Sequence, residues 1–112
     1  MRCVQEGDFG YIVNFWSDGT HQIRGDATSG RTFSAMNEAA VADSMVSDLL
    51  DMYVYRVPEE LHFKSDPDGL VNLIDDPAYQ EKIGHMKSRL IREMKCTRDP
   101  IYNEFEDRFM KN

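Results

Sequence analysis

The stretch YRVPEELHFKSDPDGLVNLIDDPAYQ, residues 55 to 80, gathers the side chains most able to do chemistry. So many carboxylates could hold a metal ion, serve as a general acid and base, or form turns and caps. A calcium loop needs several oxygen ligands at close, regular spacing with glycine at its sharp bend, and that spacing is absent. Glu59 and Glu60 are adjacent, so in a strand they point to opposite faces and cannot act as a pair on one substrate. Asp66-Pro67-Asp68-Gly69 is a turn sequence, in which proline presets φ and glycine is free to take positive φ. Asp76 before Pro77 reads as an N-cap followed by the first helical residue. These acids are therefore expected to have structural duties, and no metal site is expected among them.

The other reactive side chains are scattered. His21, His62 and His85 are predicted to lie in a loop, a strand and a helix, with no HxH or HExxH pairing to bring two imidazoles onto one face. Cys3 and Cys96 are too few for a disulfide framework and too far apart in sequence for a zinc knuckle. Neither sits in a local signature of a nucleophile, so no catalytic residue is assigned. Arg24 and Arg31 flank the glycine-containing loop RGDATSGR, and their guanidinium groups suit an anionic partner. A solvated loop is the plainer reading of the same residues.

The elements that must position these groups follow from pattern and composition. The chain has 112 residues, enough for one domain with one modest core. Twenty acids against thirteen bases give a net charge of −7, which argues against nucleic acid as a partner. No apolar run approaches the length of a membrane span, and the N-terminus lacks a basic region followed by an apolar one. RCVQEGDFGYIVNFW reads as a hairpin turning at Gly7 and Asp8, with a second turn at SDGT, residues 17 to 20. From Thr32, the spacing of Phe33, Met36 and Ala40 predicts one helical face. A further helical segment from Asp43 places Met45, Val46, Leu49 and Leu50 on its apolar side.

A strand is predicted around Leu61 and Phe63. The longest element runs from about Ala78 to Lys95, with Tyr79, Ile83, Met86, Leu90 and Met94 on a single stripe that must lie on something apolar. A final short amphipathic segment follows Pro100. The fold class is α+β, a small antiparallel sheet packed against a long C-terminal helix with extra helices in the middle.

The order of these elements resembles the C-terminal subdomain of the sulfatase family. Its landmarks fall in order here as Pro58 to Leu61, Asp66-Pro67, Asn72-Leu73 and Asp76-Pro77. The opening MRCVQEGDFGYIVNF, the RTFSAMNEAA helix and the TRDP after the long helix are similar to the N-sulfoglucosamine sulfohydrolases (heparan N-sulfatases, or sulfamidases) and their bacterial relatives. The resemblance covers nearly all of residues 1–112. It implies a sheet of about four antiparallel strands that packs beside the large catalytic domain and closes one side of a substrate cleft. HFKS, before the Asp-Pro turn, is one residue shorter than the family pattern, which puts the local register in question.

The resemblance further implies that everything catalytic lies upstream. The formylglycine motif C/S-x-P-x-R and the calcium carboxylates have no counterpart here, since RCVQE and KCTRD lack the proline and arginine. Calcium and formylglycine are thus expected in the missing catalytic domain, and the chain alone in no enzyme reaction. Met1 then marks a truncated reading frame or a deliberately cut chain, from a parent placed in the periplasm, the lysosome or outside the cell. Under this reading His21, Arg24 and Arg31 are candidates to touch a sulfated sugar. The partner is the parent's catalytic domain, and the apolar face that meets it could promote self-association. The alternative is a free-standing binding or regulatory module with a sulfatase-tail fold.

Overall fold

The computed structural model describes residues 1–111, which divide into two compact units: residues 1–15 with 59–111, and residues 16–58. In the first, β1 (Arg2–Glu6) and β2 (Phe9–Val13) form the expected hairpin, in register from Arg2 opposite Val13 to Glu6 opposite Phe9. Gly7 takes φ of 59°, the positive φ that a two-residue hairpin loop asks of its first residue. β3 (Glu59–Phe63) pairs antiparallel with the other side of β2, placing Leu61 opposite Tyr11.

The described residues hold three strands in the order β1-β2-β3, where about four were expected. The outer edge of β3 is closed by other means. The Leu73 amide donates to the Leu61 carbonyl at 2.9 Å, and the Asn72 carboxamide accepts from the Leu61 amide at 2.9 Å while donating to the Glu59 carbonyl at 3.1 Å. One asparagine thus supplies the pairing that a further strand would have given at that point.

Asp76 accepts a hydrogen bond from the Ala78 amide at 2.9 Å, as an N-cap should, but Pro77–Tyr79 form a 3₁₀ turn before the long helix begins. We label that helix α3 (Gln80–Cys96), and it buries Ile83, Met86, Leu90 and Met94 against the sheet, with Tyr79 half-buried on the same cluster. The helix ends in a Schellman motif: Arg98 adopts φ of 54°, its amide donates to Lys95, and the Asp99 amide reaches back to the Met94 carbonyl at 2.8 Å. The final segment is a short helical turn, Tyr102–Phe105, continued by a π turn, Glu106–Met110, and it brings Phe105 and Phe109 into the same core. Tyr11, Leu61, Met86 and Phe105 are all 0 % exposed.

In the second unit α1 (Arg31–Ala40) packs on α2 (Ser44–Val54), with the Phe33 and Tyr53 rings 6.4 Å apart. Asp43 caps α2 by accepting from the Met45 amide at 2.9 Å. Phe33, Met36 and Ala40 are half-buried, as their spacing predicts. Of the four apolar residues assigned to one side of α2, Leu50 is 7 % exposed and Val46 is half-buried, whereas Met45 is 72 % exposed and Leu49 is also exposed. At 100° per residue, Leu49 lies about 100° and Met45 about 140° around the helix from Leu50, which is where the buried face is centred. Among the described residues, no helix is long and apolar enough to cross a membrane.

Candidate functional site

The loop at residues 17–24 is built around one carboxylate. Asp18 Oδ1 accepts from the Thr20 amide at 2.8 Å, the Thr20 hydroxyl at 2.9 Å and the His21 amide at 2.8 Å, an Asx turn that folds the chain back on itself. Gly19 inside it has φ of 87°, a conformation that side chains with a Cβ avoid. These donors, led by the Thr20 amide, hold the Asp18 carboxyl down at about 2, so it is ionised at neutral pH.

Neighbouring bonds within the same unit tie the loop to the end of α2. The Ser17 hydroxyl donates to the Arg56 carbonyl, the Ile23 amide to the Val54 carbonyl at 2.9 Å, and the Gln22 carboxamide to the Tyr55 hydroxyl at 2.6 Å. The Trp16 indole meets the His21 ring edge-on, with centroids 6.3 Å apart.

Asp18, Thr20, His21, Gln22 and Arg24 line an open cavity of about 690 Å³. The wall offers a guanidinium, an imidazole, a carboxylate and neutral hydrogen-bonding groups. That set can recognise a polar, hydroxylated ligand bearing an anionic group, with Arg24 as the planar donor fork for the anion.

Arg31 lies elsewhere. It opens α1 and lines a separate cavity with Phe33, Met36, Leu50 and Tyr53. The structure therefore brings His21 and Arg24 together on one wall and sets Arg31 on another. Sequence reasoning missed Asp18, Thr20 and Gln22. Their signal was in the SDGT turn, since an aspartate with glycine next and threonine two residues on is an Asx-turn sequence.

The carboxylates of β3 are engaged in the sheet–helix unit and diverge as adjacent strand residues must. Glu59 accepts from the Tyr11 hydroxyl at 2.7 Å and pairs with Lys87 at 2.8 Å. Burial, with Glu59 as the second cause, pushes the Tyr11 phenol well above its ordinary range. Glu60 accepts from Asn14 at 2.7 Å and lies 3.2 Å from His62 Nε2. Asp66 accepts from the Leu70 and Val71 amides, which hold its carboxyl below the usual range and close the turn. Cys3 and Cys96 are exposed free thiols, and partial burial raises the pKa of Cys3. Among the described residues, no group of three or more His, Cys, Asp or Glu side chains is placed to hold a metal ion. Neither the models of known protein families nor the curated proteins match this chain.

Proposed function

We propose that this chain is the C-terminal subdomain of a sulfatase of the N-sulfoglucosamine sulfohydrolase kind. It is a structural and cleft-lining piece that works only beside a catalytic domain supplying calcium and formylglycine. The observation that carries the reading is what the sulfatase-like landmarks do. Asp66 closes the turn after β3, Asn72 fastens the outer edge of β3, and Asp76 caps the entry to α3. Three of the motifs that resemble the family are the polar fastenings of one sheet–helix unit.

In this reading, the loop from Asp18 to Arg24 faces the sulfated sugar. Arg24 is the residue for the sulfate or sulfamate oxygens, and His21 and Gln22 are the ones for ring hydroxyls. The exposed apolar side chains of α2, Met45, Leu49 and Met52, are a surface for the catalytic domain, and in the isolated chain they offer the same surface to a second copy.

The deciding test is genetic and then enzymatic. The encoding DNA, read in frame upstream of Met1, should carry a C/S-x-P-x-R motif and an Asp-Asp calcium strand. A stop codon and ribosome site directly before Met1 would instead make the chain a free-standing module and sink the proposal. In the full parent, Arg24→Ala should raise KM for an N-sulfated glucosamine with little change in kcat. An unchanged KM for Arg24→Ala would remove the sugar from this loop.

A further inference from the structure

The cavity on the Arg31 side of the inserted unit differs in character from the polar loop. Its volume is about 520 Å³, within the span of roughly 300–1,000 Å³ typical of small-ligand sites. Phe33 and Met36 of α1 and Leu50 and Tyr53 of α2 line it together with Ala27, Gly30 and Thr32, and Leu50 is the buried side chain among them. Methionine is deformable and Phe33 and Tyr53 are flat, so these walls can close on a body of uncertain outline.

Arg31 is the one charged residue among the described lining residues, and it has neither an ion-pair nor a hydrogen-bond partner among the described residues. A largely apolar hollow lined by a single unpaired guanidinium is complementary to a molecule with an apolar body and one negative end. The start of α1 adds to that bias, because Gly30 at its N-cap has no side chain to occupy the first amides of the helix.

We propose that this cavity binds an apolar anion: a small molecule with an aliphatic or aromatic body lodged between Phe33, Met36, Leu50 and Tyr53 and a single carboxylate or sulfate held by Arg31. A neutral hydrophobe would fill the same walls and leave the guanidinium without a partner. A sugar would leave the apolar walls unmatched. The head group therefore sets affinity and the body sets position. This site is independent of the sulfatase reading, which places its ligand at the polar loop.

Octanoate and 1-octanol, which share a body and differ in charge, are suitable probes for the purified 112-residue chain. Calorimetry should find one site for octanoate, and amide shift changes should centre on Arg31, Phe33, Met36, Leu50 and Tyr53. Octanoate should bind about tenfold tighter than octanol, and Arg31→Gln should bring octanoate down to the affinity of octanol without moving that of octanol. Met36→Trp should fill the hollow and remove both. Arg31→Gln carries the decision if Met36→Trp perturbs the fold, because Arg31 is exposed and its replacement leaves the helix pair intact. Equal octanoate affinity in wild type and Arg31→Gln would overturn the proposal. So would shifts centred on residues 18–24, an absence of saturable binding, or shifts that follow protein concentration alone, which would put a second copy in the cavity.

Discussion

The two units of this chain spend their apolar residues in opposite ways. Among the described residues, nine of the ten buried apolar side chains belong to the sheet–helix unit, and the insertion has Leu50 alone. Conversely, eight of the eleven exposed large hydrophobic side chains lie in residues 16–58. The insertion is roughly forty residues long, about the length below which a unit usually needs a disulfide, a metal or a partner to be stable. The sheet–helix unit has a closed core and polar fastenings at each join. One unit is therefore built to hold its own shape, and the other to present surface, cavities and a loop.

The sharpest way to break that contrast is in the core. Phe105→Ala removes a ring that is 0 % exposed and lies tilted against Phe15 and Phe109, and should cost about 3–5 kcal/mol, measured by urea unfolding of the α3 signals. A loss below about 1 kcal/mol would mean that the core is not closed as described.

Asn72→Ala tests the edge of β3. It strips the Leu61 amide and the Glu59 carbonyl of their side-chain partners and should cost about 2 kcal/mol, with amide exchange quickening first at Leu61. Exchange at Leu61 that stays as slow as in the wild type would show that the strand edge is held by Leu73 alone.

Acid tests the loop of the inserted unit through its carboxylate. The Asp18 carboxyl is held below its ordinary value, so its contribution is fully present above about pH 4 and is lost as pH falls through about 2. The Thr20 and His21 amide resonances should therefore lose their bonded positions over that window, while Asp18→Ala should show the acid-state shifts already at neutral pH. Positions that do not move between pH 4 and pH 2 would remove the Asx turn as the organiser of the loop. The smallest effect expected is that of Met45→Ser on α2, within about 0.5 kcal/mol, because the side chain already faces water. A larger loss would show that Met45 is covered in solution.

Much of the architecture is local, and to that extent the sequence alone determined it. The hairpin turn at Gly7, the Asp43 and Asp76 caps, the Asp66 turn and the buried stripe of α3 each depend on residues within a turn or two of one another, so their patterns could be read in one dimension. The same holds for the divergence of Glu59 and Glu60, which follows from the alternation of a strand. Only the tertiary structure decided what those carboxylates meet across the fold, Tyr11 and Lys87 for one and Asn14 for the other, because register and packing bring together residues tens of positions apart. It alone decided that Asn72 closes the edge where a further strand was expected, and that Leu50 and not Met45 is buried on α2, since an amphipathic arc does not say which part of itself the neighbour will cover. Sequence placed His21, Arg24 and Arg31 around one loop. Folding put the first two on a polar wall and the third on an apolar one, because the helix that begins at Arg31 packs Phe33 and Met36 beside Leu50 and Tyr53 of α2.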